Sequence, residues 1–319
     1  GDGTYVFFVA NYGGPMRLYE LSTHGLIEDV ARAAGLNLAA GGRGLVALPL
    51  VTRFMDVFAG NEQGPNFLFA STGRGTFNEV AAQYGLDDPA EHVRGIAVLD
   101  ADGDGRFDVV YGNWEGPHRL FVRRGDAFVD KAPPEMAAPS RVRTVIAADF
   151  DNDGHEEIFF NNIGQPNRLF AWREDRWLPV DMGDALEENG LGTGAVVGDF
   201  NGDGRLELLI THGESGLQPL TYYHTPDNGH HWLRVLPLTR HGAPARGAVV
   251  RIKHYDGREQ VRVIDAGSGY LCQMEPVAHF GLGTLTQVAR VEVRWVDGTE
   301  VTHNRPVIDH VLRVPYPTA

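Results

Sequence analysis

Short apolar runs, too short for helices, recur along the first 228 residues and are bounded by turns rich in glycine, proline and aspartate. RGLVAL (43–48), RGIAVL (94–99), RTVIAA (143–148) and TGAVVG (193–198) stand upstream of polar loops. GPMRLY (14–19), GPNFLF (64–69), GPHRLF (116–121), QPNRLF (165–170) and QPLTYY (218–223) stand downstream of them. Their β-branched and aromatic content predicts strands. Apolar spacing of the i, i+3, i+4, i+7 kind does not persist beyond pieces such as 28–34, so a helical fold is excluded. A closing run ends several units, as in GTFNEVAAQYGL (75–86) and DAFVDKAP (126–133).

The runs are periodic. Pro15, Pro65, Pro117, Pro166 and Pro219 are 50, 52, 49 and 53 residues apart. Each unit reads strand, polar loop, strand, proline turn, strand, turn, strand. Four antiparallel strands in a unit of ~50 residues describe a β-propeller blade. Stacking around an axis buries the faces that one blade cannot bury alone. GDGTYVFFVANYGGPMRLY (1–19) aligns without a gap onto GDGRFDVVYGNWEGPHRLF (103–121), so about four and a half units are present. Open sheet edges are a liability. The expectation is either a fragment of a longer protein, or self-association or a second chain that closes the ring.

From Trp232 the period stops. WLRVLPL (232–238), GAVVRIKHY (247–255), EQVRVID (259–265), VARVEVRW (288–295) and HVLRVPY (310–316) alternate apolar and polar residues. They predict a small β-sandwich. The stretch between them, GSGYLCQMEPVAHFGLG (267–283), is expected to be irregular. The fold class is thus all-β, with a propeller over 1–228 and a β-sandwich-like domain over 229–319.

The polar loops carry the chemistry. The third unit has Asp100, Asp102, Asp104 and Asp108, with Gly105 to turn the chain. Carboxylates at alternate positions converge on one point if the loop wraps around it, and Ca²⁺ takes 6–8 oxygens in a flexible shell. The backbone carbonyl of Arg106 completes this set. The fourth unit repeats it with Asp149, Asp151, Asp153, Glu157 and the carbonyl of His155. The fifth has Asp199, Asn201, Asp203, Glu207 and the carbonyl of Arg205. An EF-hand would need Glu at position 12 and flanking helices, but Tyr111 stands there, between strands. About three Ca²⁺ ions are therefore expected. In the second unit the positions fall on Leu48, Leu50, Thr52 and Asp56, which predicts no ion. Val6 makes the first unit a poor site. Four side chains and one carbonyl fill most of a shell, so the expected calcium is structural rather than catalytic.

Composition narrows the partners. Among 319 residues the net charge is −14, which disfavours nucleic acid and anionic membranes. No apolar run approaches the ~20 residues of a membrane span. Cys272 is the one cysteine, so no internal disulfide forms. Weak calcium sites suit millimolar extracellular calcium, which points to secretion and to an extracellular protein or glycan as partner. Asn113, Trp114, His118, His212 and Glu214 form a candidate ligand face, where Trp114 could stack on a sugar. His279 is expected as a turn or core histidine, and Cys272 as a small buried hydrophobe. No catalytic constellation is legible, so the reading is a non-enzymatic adhesion or interaction module. The alternatives are a lectin-like module, or a propeller enzyme such as a polysaccharide lyase or cyclase.

GAPARGA (242–248), GSGYLCQMEP (267–276), HFGLG (279–283) and VRWVDG (293–298) resemble the ASPIC/UnbV domain. The upstream units resemble FG-GAP/VCBS repeats. Together with YGNWEGPHRLF, FFNNIGQPNRLF and THGES, the combination resembles the cartilage acidic protein family across essentially the whole chain. The resemblance implies a secreted, calcium-binding, seven-bladed propeller followed by an ASPIC/UnbV domain, acting in adhesion. Three departures are expected to matter: the first two and a half repeats are absent, a cysteine-rich tail is absent, and Val296 replaces the proline of a W-P-D-G turn. They suggest a bacterial or minimal member.

Overall fold

A computed structural model describes residues 6–22, 24–214 and 216–317. The periodic runs become five successive antiparallel sheets, each a meander. The first blade has strands Val6–Val9, Arg17–Leu21 and Ile27–Asp29. The second has Ala39–Leu48, Asp56–Asn61, Phe67–Ser71 and Phe77–Glu79, with Tyr12–Pro15 added to its first strand. Val93–Leu99, Asp108–Asn113, Arg119–Arg124 and Ala127–Asp130 form the third. Val142–Ala148, Glu157–Asn162, Arg168–Arg173 and Arg176–Val180 form the fourth. The fifth has Gly192–Gly198, Glu207–His212 and Thr221–Tyr223. The loop expected in the first unit begins at residues 1–5, outside the described residues.

The first strands of the second to fifth blades lie side by side, each of the second to fourth packed against the first strand of the next. Small residues make this possible. A Cβ on Gly95 would stand 2.4 Å from the backbone nitrogen of Val145 in the neighbouring first strand. Blade faces fill with β-branched and aromatic side chains, such as Val46, Phe58, Val109 and Tyr111 between the second and third blades.

The C-terminal domain is two sheets. Ala278–Gly283, His231–Pro237 and Val311–Val314 form one. Glu259–Val263, Val249–Lys253, Arg290–Arg294 and Glu300–Asn304 form the other. Leu233, Val250, Ile252, Phe280, Val291 and Trp295 pack between them. One expectation is corrected: the end of the 267–283 stretch is a strand, since Ala278–Gly283 pairs antiparallel with His231–Pro237. Its two glycines masked the alternation. The rest of the stretch is irregular and runs along the first strands of the blades. Ala266 and Ala47 exchange backbone hydrogen bonds, Gly269 donates to Ile96 O at 2.7 Å, and Thr144 Oγ1 donates to Tyr270 O at 3.1 Å. It turns at Leu271 and returns past the fifth blade, where Val197 N donates to Met274 Sδ. This segment is a plug shared among four blades.

Candidate metal centres

The acidic loops join the first strand of a blade to its second strand. In three successive blades they bring three carboxylates together. Asp100, Asp102 and Asp108 have oxygens within 4.8 Å of one another, as do Asp149, Asp151 and Glu157, and Asp199, Asp203 and Glu207. Each loop is built the same way. The last acid, at the start of the second strand, accepts the backbone N–H just after the first: Ala101 N to Asp108 at 2.8 Å, Phe150 N to Glu157 at 2.8 Å, Phe200 N to Glu207 at 2.7 Å. The first acid accepts the N–H of the turn glycine, at 2.9 Å for Gly105, 2.9 Å for Gly154 and 3.1 Å for Gly204. These bonds hold the first and last acids of each loop side by side.

Burial sharpens the electrostatics. Asp149 Oδ1 and Glu157 Oε1 are buried without a hydrogen-bond partner. Arg173 pairs with Asp151 at 2.5 Å and Asp153 at 2.7 Å, but stands 3.6 Å from Glu157, beyond hydrogen-bond reach. Burial, with the neighbouring carboxylates, raises Asp149 and Glu157 well above the ordinary carboxylate range. Burial pushes Asp108 up to about 7. Anionic oxygens converging in this way are the donor set that a hard divalent cation takes. Asp104 and Asp153 stand outside the tri-acid groups, held by Arg106 and Arg173. The side-chain amide of Asn201 donates to Glu207 Oε1 at 2.6 Å. The second blade differs in kind: the Asp56 carboxylate accepts from the backbone of Leu50, Val51, Thr52 and Ser71 and from the Thr52 hydroxyl.

The C-terminal domain closes over these loops, which nothing in the sequence pattern announced. Gly281 N donates to Asp149 Oδ2 at 3.0 Å. A Cβ at this glycine would fall 2.3 Å from that oxygen. Arg234 Nη1 donates to Asp199 Oδ2 at 3.0 Å, and Arg251 Nη2 to Gly105 O at 2.7 Å. His279 is a buried residue, held neutral by that burial, and its Nε2 lies 2.6 Å from Asn152 Oδ1. Asn152, at φ +57°, also donates to Gly204 O at 3.0 Å and so ties the fourth loop to the fifth.

The candidate ligand face is corrected. Asn113 and His118 are fully buried. Asn113 Nδ2 donates to Pro117 O at 2.6 Å, and Asn11, Asn61 and Asn162 make the same bond to Pro15, Pro65 and Pro166. His118 Nδ1 accepts from Asn113 N at 3.0 Å, the place that Asn66 and Asn167 fill in adjacent blades. Burial pushes His118 down to about 3, so its other nitrogen donates to Ser140 Oγ. His212 takes the asparagine position in the fifth blade, with Nδ1 at 2.7 Å from Pro219 O and Nε2 at 2.8 Å from Glu187. These residues clip turns. Glu214 pairs with Arg143 at 2.5 Å. The guanidinium groups of Arg94 and Arg143 stand 5.4 and 4.3 Å from the Trp114 ring centroid, so the ring already has cationic partners within the protein. The recurring N-x-x-x-P spacing was the signal for the clip. Cys272 is half-buried, and its Sγ accepts from Tyr270 N.

The FG-GAP-like repeat family matches residues 53–111, 100–160 and 149–210, and the ASPIC and UnbV family matches 238–319. Cartilage acidic protein 1 of Homo sapiens is 46% identical over 346 residues, covering 99% of this chain and 52% of its own length. The chain belongs to the cartilage acidic protein 1 family. Its Mus musculus relative is 45% identical, with 99% of this chain and 53% of the relative covered. The chain therefore spans about half the length of the curated relatives it matches. Among solved structures, the BP39L lectin from Burkholderia pseudomallei overlaps with a TM-score of 0.48 at 13% identity, covering 93% of this chain and 90% of that one. Sqt1 of Saccharomyces cerevisiae overlaps at 0.45 and 11% identity, covering 94% and 81%. Among the described residues no helix is long and apolar enough to cross a membrane.

Proposed function

We propose that this chain is a secreted, calcium-binding interaction module without enzymatic activity, in which metal ions lock the loops of a β-propeller over residues 1–228 against an ASPIC/UnbV domain over 229–319. Three tri-carboxylate clusters at one structural position in successive blades carry the reading. The two buried carboxylate oxygens without partners, Asp149 Oδ1 and Glu157 Oε1, support it most directly. Bound Ca²⁺ would supply positive charge at the point where these oxygens meet. Asp100, Asp102 and Asp108 would hold it in the third blade, Asp149, Asp151 and Glu157 in the fourth, and Asp199, Asp203 and Glu207 in the fifth. Asp104, Asp153, Asn201 and the carbonyls of Arg106, His155 and Arg205 stand as further oxygens.

The extracellular assignment rests on calcium supply: weak oxygen sites fill where calcium is millimolar. The name of the relatives places those proteins in cartilage, which fits. The role of the ions is to hold surfaces for an extracellular protein or glycan. Ion counting after equilibrium dialysis in calcium tests the reading. The wild-type chain retains about three ions, and Asp149→Asn retains one fewer. Equal retention by both, or retention of none, refutes it.

A further inference from the structure

The clefts between neighbouring blades are not alike. Between the second and third blades Arg123 crosses the gap, and its Nη1 donates to the carbonyl of Leu50 at 2.6 Å. Phe128 and Tyr84 pack beside it, with ring centroids 6.5 Å apart. In register, RLFVRR (119–124) matches RLFAWR (168–173), so Trp172 occupies the position of Arg123 in the fourth blade. Ala101 correspondingly replaces Leu50. The small side chain withdraws one wall, and a groove of about 520 Å³ stays open between the third and fourth blades. Small-molecule sites measure roughly 300–1,000 Å³.

The groove has one half-buried indole, Trp172, backed by the buried Trp177, and a mixed polar rim. Leu120 and Val122 form one wall, Trp172 and Trp177 the other, with the indoles edge to face at 5.6 Å. Neither indole N–H donates to a protein acceptor among the described residues. Lys131, Glu135, Asp175 and Arg176 stand exposed at the rim. Lys131 and Asp175 make no ion pair among the described residues. Arg124 and Asp102, an ion pair, also line the groove, so three cations face three anions and the rim selects neither charge. A purely apolar ligand would leave Lys131 and Asp175 desolvated and unpaired, which is costly. A ligand with one apolar face and a periphery of neutral donors and acceptors satisfies both parts. Indoles present just such an apolar body with a polar edge.

We propose that the groove between the third and fourth blades binds a neutral saccharide. One pyranose ring lays its C–H face on Trp172, and its hydroxyls bond to Lys131, Asp175 and Glu135. The groove adjoins the third-blade acidic loop, since Asp102 also lines it, but the proposed sugar contacts are made by other residues.

The test applies the full chain, in millimolar calcium, to an array of neutral oligosaccharides ending in glucose, galactose, mannose, fucose or N-acetylglucosamine, with hits titrated calorimetrically. The expected result is retention of at least one terminal sugar. Trp172→Ala and Lys131→Gln each weaken it by roughly tenfold or more, Trp172→Phe keeps most of it, and Trp114→Ala leaves it unchanged. Lys131 is at the surface, so its variant tests the site without touching the blade core; melting curves check folding of the tryptophan variants. Absence of any neutral glycan on wild-type chain that counts its ions normally overturns the proposal. So does binding that survives both Trp172→Ala and Lys131→Gln, or capture of peptides alone in a parallel peptide array.

Discussion

Asp56 and Asp108 begin the same strand in successive blades, and their surroundings separate a turn from a metal site. Asp56 receives four backbone N–H groups and a hydroxyl, so its charge is fully solvated by the protein. Asp108 receives two backbone N–H groups and faces Asp100 and Asp102. Burial raises it to about 7, and Asp149 and Glu157 rise as well. A carboxyl group whose pKa is higher in the folded state binds more protons folded than unfolded. Its contribution to stability therefore declines as pH rises from the unfolded value near 4 through the folded one. In chelator the melting temperature should fall between pH 5 and pH 8. In calcium it should hold or rise over the same range, because metal binding displaces these protons. Melts in matched buffers decide this, and a chelator profile that rises with pH contradicts the assignment.

At the scale of the element, the proline turn of each of the first four blades is pinned by an asparagine, and that of the fifth by His212. Asn162 Nδ2 donates to Pro166 O at 2.6 Å, and Asn162 Oδ1 accepts from Ser140 Oγ at 2.7 Å. Asn162→Ala strands both partners in a buried site. It should cost about 1–3 kcal/mol, read as a lower denaturant midpoint with unchanged calcium stoichiometry. The repeat itself was legible because strand period, proline spacing and acidic loops coincide every ~50 residues. So were the acids that converge, since local turn geometry places them. The clip was misread: Asn113 and His118 look like surface polar residues until they are set against Asn61 and Asn66 one blade earlier. The strand Ala278–Gly283 was missed because glycines interrupt its alternation. The Trp172 groove depends on what a neighbouring blade omits, and the local pattern carries no trace of that.

Across the whole molecule, the C-terminal domain and the propeller meet at the acidic loops, and a plug from the former runs along the first strands of four blades. Local pattern cannot specify such contacts: Asp199 belongs to an acidic loop, but its partner Arg234 lies 35 residues on and stands in no motif. The pair is buried on both sides and 3.0 Å apart. Arg234→Met leaves Asp199 without its cation. In chelator this should destabilise the chain by ~3–5 kcal/mol. In saturating calcium the loss should be smaller, since the ion neutralises the same carboxylate. Denaturant titrations of the variant under both conditions measure the difference; an equal loss in each would separate the interface from the metal sites.

The most direct test of a calcium-locked propeller is a thermal melt of one preparation in chelator and in calcium, with bound ions counted on the same sample. Binding to the folded state alone stabilises by about 2.7 kcal/mol per site at a hundred times Kd. The account predicts a large upward shift together with about three ions per chain, one for each tri-carboxylate loop. Coincident melts and an ion-free protein would contradict it, and the acidic loops would then be turns held by their own backbone donors.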